Sequence, residues 1–275
     1  MQSFEHAGPV TVALQAQRGR VDITAADNAG VHVGVTALDG SAAAADAVRG
    51  TYVALEGDTL VVQTPTSSGW RWRRSPSLAI TIRVPAGSSI AAMVASAALR
   101  AAGRYATVRV KTGSGDAWID AVTGSAQINS ASGDLAVERV DGTLAIGTAS
   151  GRLRAGDVAG DVTAHSASGD ITIGTVGGSL VVETASGDAE VGVLRRGQTR
   201  IRSASGDIEV GIAAGTGVWL DVSTATGATT NELTMAAALP DSAAGGVGAG
   251  LRLRIRTASG DIRIRRVPGD IPAAA

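Results

Sequence analysis

Residues 166–188 read Ser-Ala-Ser-Gly-Asp-Ile-Thr-Ile-Gly-Thr-Val-Gly-Gly-Ser-Leu-Val-Val-Glu-Thr-Ala-Ser-Gly-Asp, and this stretch decides the fold. The triplet Ser-Gly-Asp occurs twice in it, with serines 18 residues apart at Ser168 and Ser186. Between the triplets, apolar residues alternate with polar or small ones, which is typical of strands with one buried face. The stretch therefore predicts one coil made of two short strands joined by corners.

The same unit recurs along the chain, which is the signature of a repeat architecture. The serine of the turn is spaced by 18 residues, and by 19 at the last step, at Ser114, Ser132, Ser150, Ser168, Ser186 and Ser205. A second glycine keeps the same period at Gly124, Gly142, Gly160, Gly178 and Gly197. A coil this short cannot bury its apolar face alone, so coils must stack in parallel about 4.8 Å apart. We predict an all-β, right-handed parallel β-solenoid of 18-residue coils.

The repeated polar triplet is interpreted as a structural corner. Glycine tolerates positive φ, and Ser and Asp cap bends by bonding to nearby amides. Arg152 takes the Asp position in one coil and is expected to relieve repulsion along the Asp column, and Thr226-Gly227-Ala228 is a degenerate copy. The predicted turn residues are Ser114, Gly115, Asp116, Ser132, Gly133, Asp134, Ser168, Gly169, Asp170, Ser186, Gly187, Asp188, Ser205, Gly206, Asp207, Ser259, Gly260 and Asp261.

The regularity of the repeat divides the chain into four parts of one continuous domain. Residues 1–107 are β-rich and are expected to form an N-terminal cap or first irregular coils, with a short helix at Ser41–Val48. Residues 108–212 carry the regular repeat. Residues 213–250 are expected to form an irregular strand and a Gly/Ala-rich excursion, and residues 251–275 an Arg-rich terminal coil.

Composition excludes several classes of site. There are no cysteines, so disulfides and thiolate metal sites are excluded, and the net charge of −1 gives no general affinity for nucleic acid or membranes. The N-terminus lacks a basic segment followed by an apolar one, and no apolar run reaches the length of a membrane span. These features predict a cytoplasmic protein, exposed at a cell surface only by a non-standard route.

No catalytic, cofactor or metal site is predicted. His6, His32 and His165 are far apart in sequence and form no group with a nucleophile. The Asp column is uniform, whereas carboxylate catalysis needs two acids with different environments. Corner geometry is the favoured interpretation of the column, with metal or carbohydrate contact as the alternative.

Two basic features are candidate interaction sites. The first is the segment Trp70, Arg71, Trp72, Arg73 and Arg74, which either caps the fold or grips a nucleic acid, an anionic surface or a protein. The second alternates along the last strands and is placed on their outer face: Arg252, Arg254, Arg256, Arg263 and Arg265, with Arg266 beside them. These arginines either protect the open sheet edge or bind an acidic lipid, nucleic acid or partner.

The repeated Thr/Ser-Ala-Ser-Gly-Asp-Ile-x-Val-Gly units resemble a bacterial family of unknown function, described as "putative adhesins" or β-strand-repeat proteins. The matching segments are Ala131–Val137, Ala167–Ile173, Ala185–Val191, Ala204–Val210 and Ala258–Ile264. The segments Gly19–Asp27 and Ile82–Gly87 resemble actinobacterial members without a signal peptide. The resemblance implies the repeat architecture and a surface-exposed role, and it implies no activity.

Three functions follow from these patterns as hypotheses. The favoured one is a non-enzymatic scaffold or adhesin-like interaction module that binds an unknown protein or a second copy of itself. The second is a carbohydrate-binding or carbohydrate-active β-helix, for which Trp118 is the one aromatic residue near the repeat face. The third is an accessory protein that binds a membrane or nucleic acid through the Trp70–Arg74 segment.

Overall fold

The structure is a computed structural model that describes residues 1–6, 8–27, 30–65, 76–233 and 250–268. It contains one helix, α1 (Ala42–Gly50), among the described residues. The strands of the N-terminal part are β1 (Gln2–Phe4), β2 (Thr11–Ala26), β3 (Val31–Ala37), β4 (Tyr52–Glu56), β5 (Thr59–Gln63), β6 (Leu78–Pro85) and β7 (Ser89–Tyr105). The strands of the coils are β8 (Val108–Thr112), β9 (Ala117–Val122), β10 (Ala126–Ser130), β11 (Leu135–Val140), β12 (Leu144–Thr148), β13 (Leu153–Val158), β14 (Val162–Ser166), β15 (Ile171–Val176), β16 (Leu180–Ser186), β17 (Ala189–Leu194), β18 (Gly197–Ser205), β19 (Ile208–Ala213), β20 (Val218–Thr226), β21 (Thr229–Asn231), β22 (Leu251–Ser259) and β23 (Ile262–Val267).

Each coil contributes two strands, and each strand pairs in parallel with the equivalent strand of the next coil. Leu144 of β12, for example, pairs with Ala126 of β10 on one side and with Val162 of β14 on the other. The coils therefore form two parallel ladders, a first ladder that includes β8, β10 and β12 and a second ladder that includes β9, β11 and β13. This confirms the predicted all-β parallel solenoid, while its right-handed winding stays a prediction.

The core lies between the two ladders and is made of the inward side chains of every coil. Leu135 and Val137 from one ladder and Leu144 and Ile146 from the other are all at most 3% exposed. Their sequence neighbours, such as Ala136, Glu138 and Ala145, lie half-buried or exposed on the outer face, as the alternation predicts. Burial of small aliphatic side chains from every coil supplies the main stabilising contribution.

In the N-terminal part, the strands next to the regular coils pair in parallel, and the strands farther from them pair antiparallel. The long strands β2 and β7 pair in parallel along most of their length, so each spans a whole coil. Beyond β2, the β4–β5 hairpin continues the first ladder, while β6, β3 and β1 continue the second. The helix begins after Ser41, whose hydroxyl accepts a hydrogen bond from the amide of Ala44, and this confirms the helix expected near Ser41–Val48.

The Arg-rich coil is last in the sequence but not last in the stack. Strand β22 pairs with β18 on one side and with β20 on the other, and β23 lies likewise between β19 and β21. The coil of β20 and β21 is therefore the outermost described coil at this end. This corrects the expectation that the arginines of the last coil protect an open sheet edge, because that coil has a neighbour on both sides.

The Asp column forms a ladder of hydrogen bonds between coils. The Oδ1 atom of Asp116 accepts the backbone N–H of Asp134, one coil later, at 2.9 Å. The same bond recurs at 2.8 to 3.1 Å for the pairs Asp134–Arg152, Asp170–Asp188, Asp188–Asp207, Asp207–Asp261 and Asp261–Ala228. The ladder follows the order of the stack and ends at Ala228, where no further described coil offers an amide. The degenerate Thr226-Gly227-Ala228 copy is thus explained by its outermost position.

The glycine of each corner is required mainly because the coils approach closely. A Cβ atom on Gly151 would lie 2.0 Å from the carbonyl oxygen of Gly133, and one on Gly169 would lie 1.9 Å from that of Gly151. Positive φ, the reason expected from the sequence, applies at later corners such as Gly187, with φ of 129°. A buried hydroxyl at the end of the preceding strand completes the corner, since Ser166 Oγ accepts the amide of Gly169 at 2.8 Å. The sequence reasoning missed this hydroxyl.

We expect the ladder to contribute measurably to the free energy of unfolding. Substitution Asp207→Ala should lower it by about 1 kcal/mol, because the amide of Asp261 loses its acceptor, whereas Asp207→Asn keeps an acceptor oxygen and should cost less. Urea denaturation measures the difference. The matched control is Asp141→Ala, which removes an exposed carboxylate that accepts no hydrogen bond from a described residue. An equal loss in Asp207→Ala and Asp141→Ala would contradict a structural role for the ladder.

Candidate interaction surfaces

The predicted interaction residues fall in three places. Trp70, Arg71, Trp72, Arg73 and Arg74 lie outside the described residues, so the hypotheses that rest on them stay predictions. Arg252, Arg254 and Arg256 belong to β22 in the first ladder, and Arg263 and Arg265 belong to β23 in the second. The structure therefore separates the predicted arginine stripe into two faces.

On the first ladder, the arginines of β22 meet two further arginines that the sequence does not place beside them. Arg200 of β18 is in register with Arg254, and Arg202 is in register with Arg256. We call the set Arg200, Arg202, Arg252, Arg254 and Arg256 the basic stripe. It is two strands wide, and it exists because β22 inserts next to β18. The separation of 54 positions between Arg202 and Arg256 hides this proximity in the sequence.

The basic stripe is only partly neutralised. Arg254 Nε lies 2.7 Å from Asp221 Oδ2, and the guanidinium of Arg256 lies 4.0 Å from the same oxygen. Arg202 lies 3.6 Å from Glu183 Oε1. Five guanidiniums thus face two carboxylates, an excess of three positive charges in a chain whose net charge is −1. Such a local excess attracts anionic groups irrespective of the overall charge.

A shallow depression lies within the stripe. It has a volume of about 400 Å³ and lies between Arg202 and Arg256, with Ser203 and Ser223 in its lining. The two arginine side chains remain 55% and 59% exposed, so their guanidiniums can turn towards a bound group. At the other end of the stripe, the guanidinium of Arg252 lies 5.4 Å from the ring centroid of Trp219, which is 48% exposed.

The arginines of β23 contribute to the fold of the last coils instead. Arg265 Nε lies 2.6 Å from Glu209 Oε1, although this contact lacks the angle of a hydrogen bond. Arg266 donates to the carbonyl oxygens of Ala213 and Thr216 and so holds the connection that leads to β20. Arg263 is exposed on the outer face of the second ladder.

A groove of about 640 Å³ runs across the outer face of the second ladder and includes Trp118. The guanidinium of Arg100 lies 4.2 Å from the ring centroid of Trp118, and Trp118 Nε1 donates to Glu138 Oε1 at 2.9 Å. Ala136 and Arg154 follow Trp118 in register on the next two coils. We call this surface the Trp118 groove. The small side chain of Ala136 leaves space between the ring of Trp118 and the guanidinium of Arg154.

Arg152 and Asp134 form one wall of the Trp118 groove. Arg152 donates from Nε at 3.1 Å and from its terminal guanidinium nitrogen at 2.6 Å to Asp134 Oδ2. The amide of Arg152, and then its guanidinium, lower the pKa of Asp134 below its usual value. The ion pair is the contact by which Arg152 relieves the repulsion expected along the column. Among the described residues, no cluster of His, Asp and Glu has the arrangement of a metal site.

Comparison with known proteins finds solved structures with a similar fold. No curated protein matches the chain. Solved structures of a "putative cell adhesion protein" from Clostridium sporogenes, a "putative adhesin" from Bacteroides fragilis and a "putative lipid binding protein" from Parabacteroides distasonis are 9%, 12% and 12% identical, with TM-scores of 0.28, 0.43 and 0.47. Alignments with them cover 94%, 96% and 97% of this chain and 93%, 95% and 95% of those chains.

The described residues contain no helix that is both long and apolar enough to cross a membrane. The family itself is settled by a match over most of the chain. A family model described as Toastrack DUF4097 matches residues 11–265, from the first coil-length strand β2 to the penultimate arginine of β23. The chain therefore belongs to the Toastrack family, a family of unknown function.

Proposed function

We propose that the protein is a non-enzymatic scaffold that binds a partner protein through the basic stripe. The observation that carries this proposal is the excess of outward guanidiniums over carboxylates on the paired strands β18 and β22. Arginine is enriched at protein interfaces because its planar group forms several hydrogen bonds while its stem packs on apolar surface. The paired strands fix the backbone and hence the spacing of these groups, so only their side chains have to be ordered on binding.

The roles of the polar repeat residues support a scaffold over an enzyme. The carboxylates of the Asp column accept hydrogen bonds from backbone amides of neighbouring coils, and the buried hydroxyls accept them from the amides of the corner glycines. These groups hold the stack together, which is a sufficient reason for their recurrence. Self-association through the same surface is the alternative form of this proposal, and the cytoplasmic location expected from the sequence stays a prediction.

Site-specific photocrosslinking in the native cell tests the stripe as an interaction surface. A photoreactive amino acid at Ser223, which is exposed beside the stripe, should yield one discrete crosslinked species, and added Arg202→Glu and Arg256→Glu substitutions should abolish it. The matched control places the same amino acid at Thr230, which is also exposed and lies in the same coil but on the second ladder. A species of twice the chain mass would identify self-association. Identical products from both positions, or products unaffected by the charge reversal, would refute the proposal.

Carbohydrate binding in the Trp118 groove is the second candidate function. The observation that favours it is the combination of an aromatic ring with alternating guanidiniums and carboxylates: Arg20, Asp22, Arg100, Asp116, Asp134, Arg152, Arg154 and Asp170. Sugar rings stack on aromatic faces, and such charged groups bond to hydroxyls in pairs. Because four positive charges balance four negative ones, a neutral sugar chain fits the groove better than a charged one.

Substitution Trp118→Ala tests this second function. If the groove binds sugar, the affinity for a neutral oligosaccharide from a soluble panel should fall by about tenfold or more, the loss expected from one aromatic contact of about 1.4 kcal/mol. Isothermal titration measures the affinity. Trp219→Ala is the matched control, because that ring also lies near a guanidinium but is next to the basic stripe and not in the groove. Equal losses in the two variants, or the absence of binding to any sugar by the unmodified chain, would eliminate this function.

A further inference from the structure

We infer that the partner segment bound by the basic stripe is an extended acidic peptide with Asp or Glu at alternate positions. The inference rests on the proposed function of the stripe as an interaction surface, and it names the chemistry of the partner. Three features of the stripe carry it: the spacing of its arginines, its bounded width and the single aromatic ring that the described residues place beside it.

The spacing of the arginines matches that of an extended peptide. Arg252, Arg254 and Arg256 occupy every second position of β22, so their Cα atoms repeat about every 6.7 Å along the strand. An extended peptide laid along the strand repeats its same-face side chains at the same interval. Carboxylates at alternate positions would therefore meet successive guanidiniums, and each pair can form two parallel hydrogen bonds.

The width of the stripe favours one linear chain over a flat anionic surface. The stripe spans two strands, about 10 Å including the side chains. Glu183 of β16 is in register with Arg202 on one side, and Asp221 of β20 is in register with Arg254 on the other. These two carboxylates confine the excess positive charge to two strands, so a single extended chain can contact all of it, whereas most headgroups of an anionic bilayer would lie beyond it.

The aromatic content of the stripe favours a peptide over single-stranded nucleic acid. Proteins that bind single strands stack the bases on free aromatic faces. Among the described residues the stripe has one aromatic ring beside it, that of Trp219 next to Arg252 at one end, so successive bases would find no row of rings on which to stack. The depression between Arg202 and Arg256 is instead lined in part by Ser223, whose exposed hydroxyl can donate to a side-chain carboxylate.

Two labelled peptides of identical composition test the spacing directly. One alternates Ser and Asp, and the other groups its Asp residues in one block beside a block of Ser. Fluorescence anisotropy with the full chain should show that the alternating peptide binds at least about tenfold more tightly, and that rising salt weakens its binding. Equal affinities for the two peptides would overturn the inference, since they would reflect net charge alone.

Charge reversal at one arginine locates the binding. Arg256→Glu should weaken binding of the alternating peptide by about tenfold or more, because it places a carboxylate in the depression. Arg263→Glu, in the same coil but on the second ladder, changes the net charge equally and should have less than about a twofold effect. Circular dichroism of both variants confirms that they fold. Equal effects of the two substitutions would overturn the location.

Two competing polyanions complete the test. Anionic phosphatidylglycerol vesicles and a single-stranded oligothymidylate should bind more weakly than the alternating peptide, and tighter Arg256-dependent binding of either would overturn the peptide assignment. A discrete crosslink at Ser223 together with failure of the peptides would leave the interaction surface intact and reject only its acidic-peptide partner. Peptide binding without any crosslink would instead reject the proposed function in the cell, while the preference of the stripe for the alternating peptide would stand.

Discussion

The structure depends on one constraint, the in-register pairing of each coil with the same positions of the next. Because parallel ladders of backbone hydrogen bonds join consecutive coils in register, equivalent positions stack above one another, and each corner must tolerate the corner of its neighbour. The carbonyl oxygen of Gly133 leaves no room for a Cβ atom on Gly151, so glycine recurs with the period of the coil. The same stacking brings each Asp carboxylate to the next amide, and the ladder ends in an alanine where the described stack ends.

This constraint explains why the repeat could be predicted from sequence and why its end could not. When residues of the same type stack in consecutive coils, they recur in the sequence at a fixed spacing. The coils from β8 to β19 therefore follow from the spacing of Ser, Gly and Asp alone. Stack order is not encoded in that way. Leu251 pairs with Gly197 on one side and Val218 on the other, and either neighbour satisfies the same alternation. Insertion of β22 between two coils that precede it in sequence leaves no trace in the period.

The candidate site was predicted only in part for the same reason. Alternation placed Arg252, Arg254 and Arg256 on an outer face, but it also joined Arg263 and Arg265 to them, which lie on the other ladder. Neither Arg200 nor Arg202 could be assigned to the stripe without the stack order. Charge balance was hidden as well, since Asp221 and Glu209 neutralise different arginines of one coil. The buried hydroxyls of the corners went unnoticed because Thr and Ser between apolar residues also fit an ordinary strand end.

The insertion links the integrity of the stack to the proposed interaction surface. Without the last coil, the first ladder would expose only Arg200 and Arg202 of the stripe, beside Glu183. Docking of β22 adds three arginines and brings Asp221 to the far border, so the two-strand width and the second bordering carboxylate arise together. Arg266 of the same coil clamps the carbonyl oxygens of the connection to β20. Docking of this coil therefore fixes both the end of the solenoid and the arrangement of charges by which the stripe would recognise a partner.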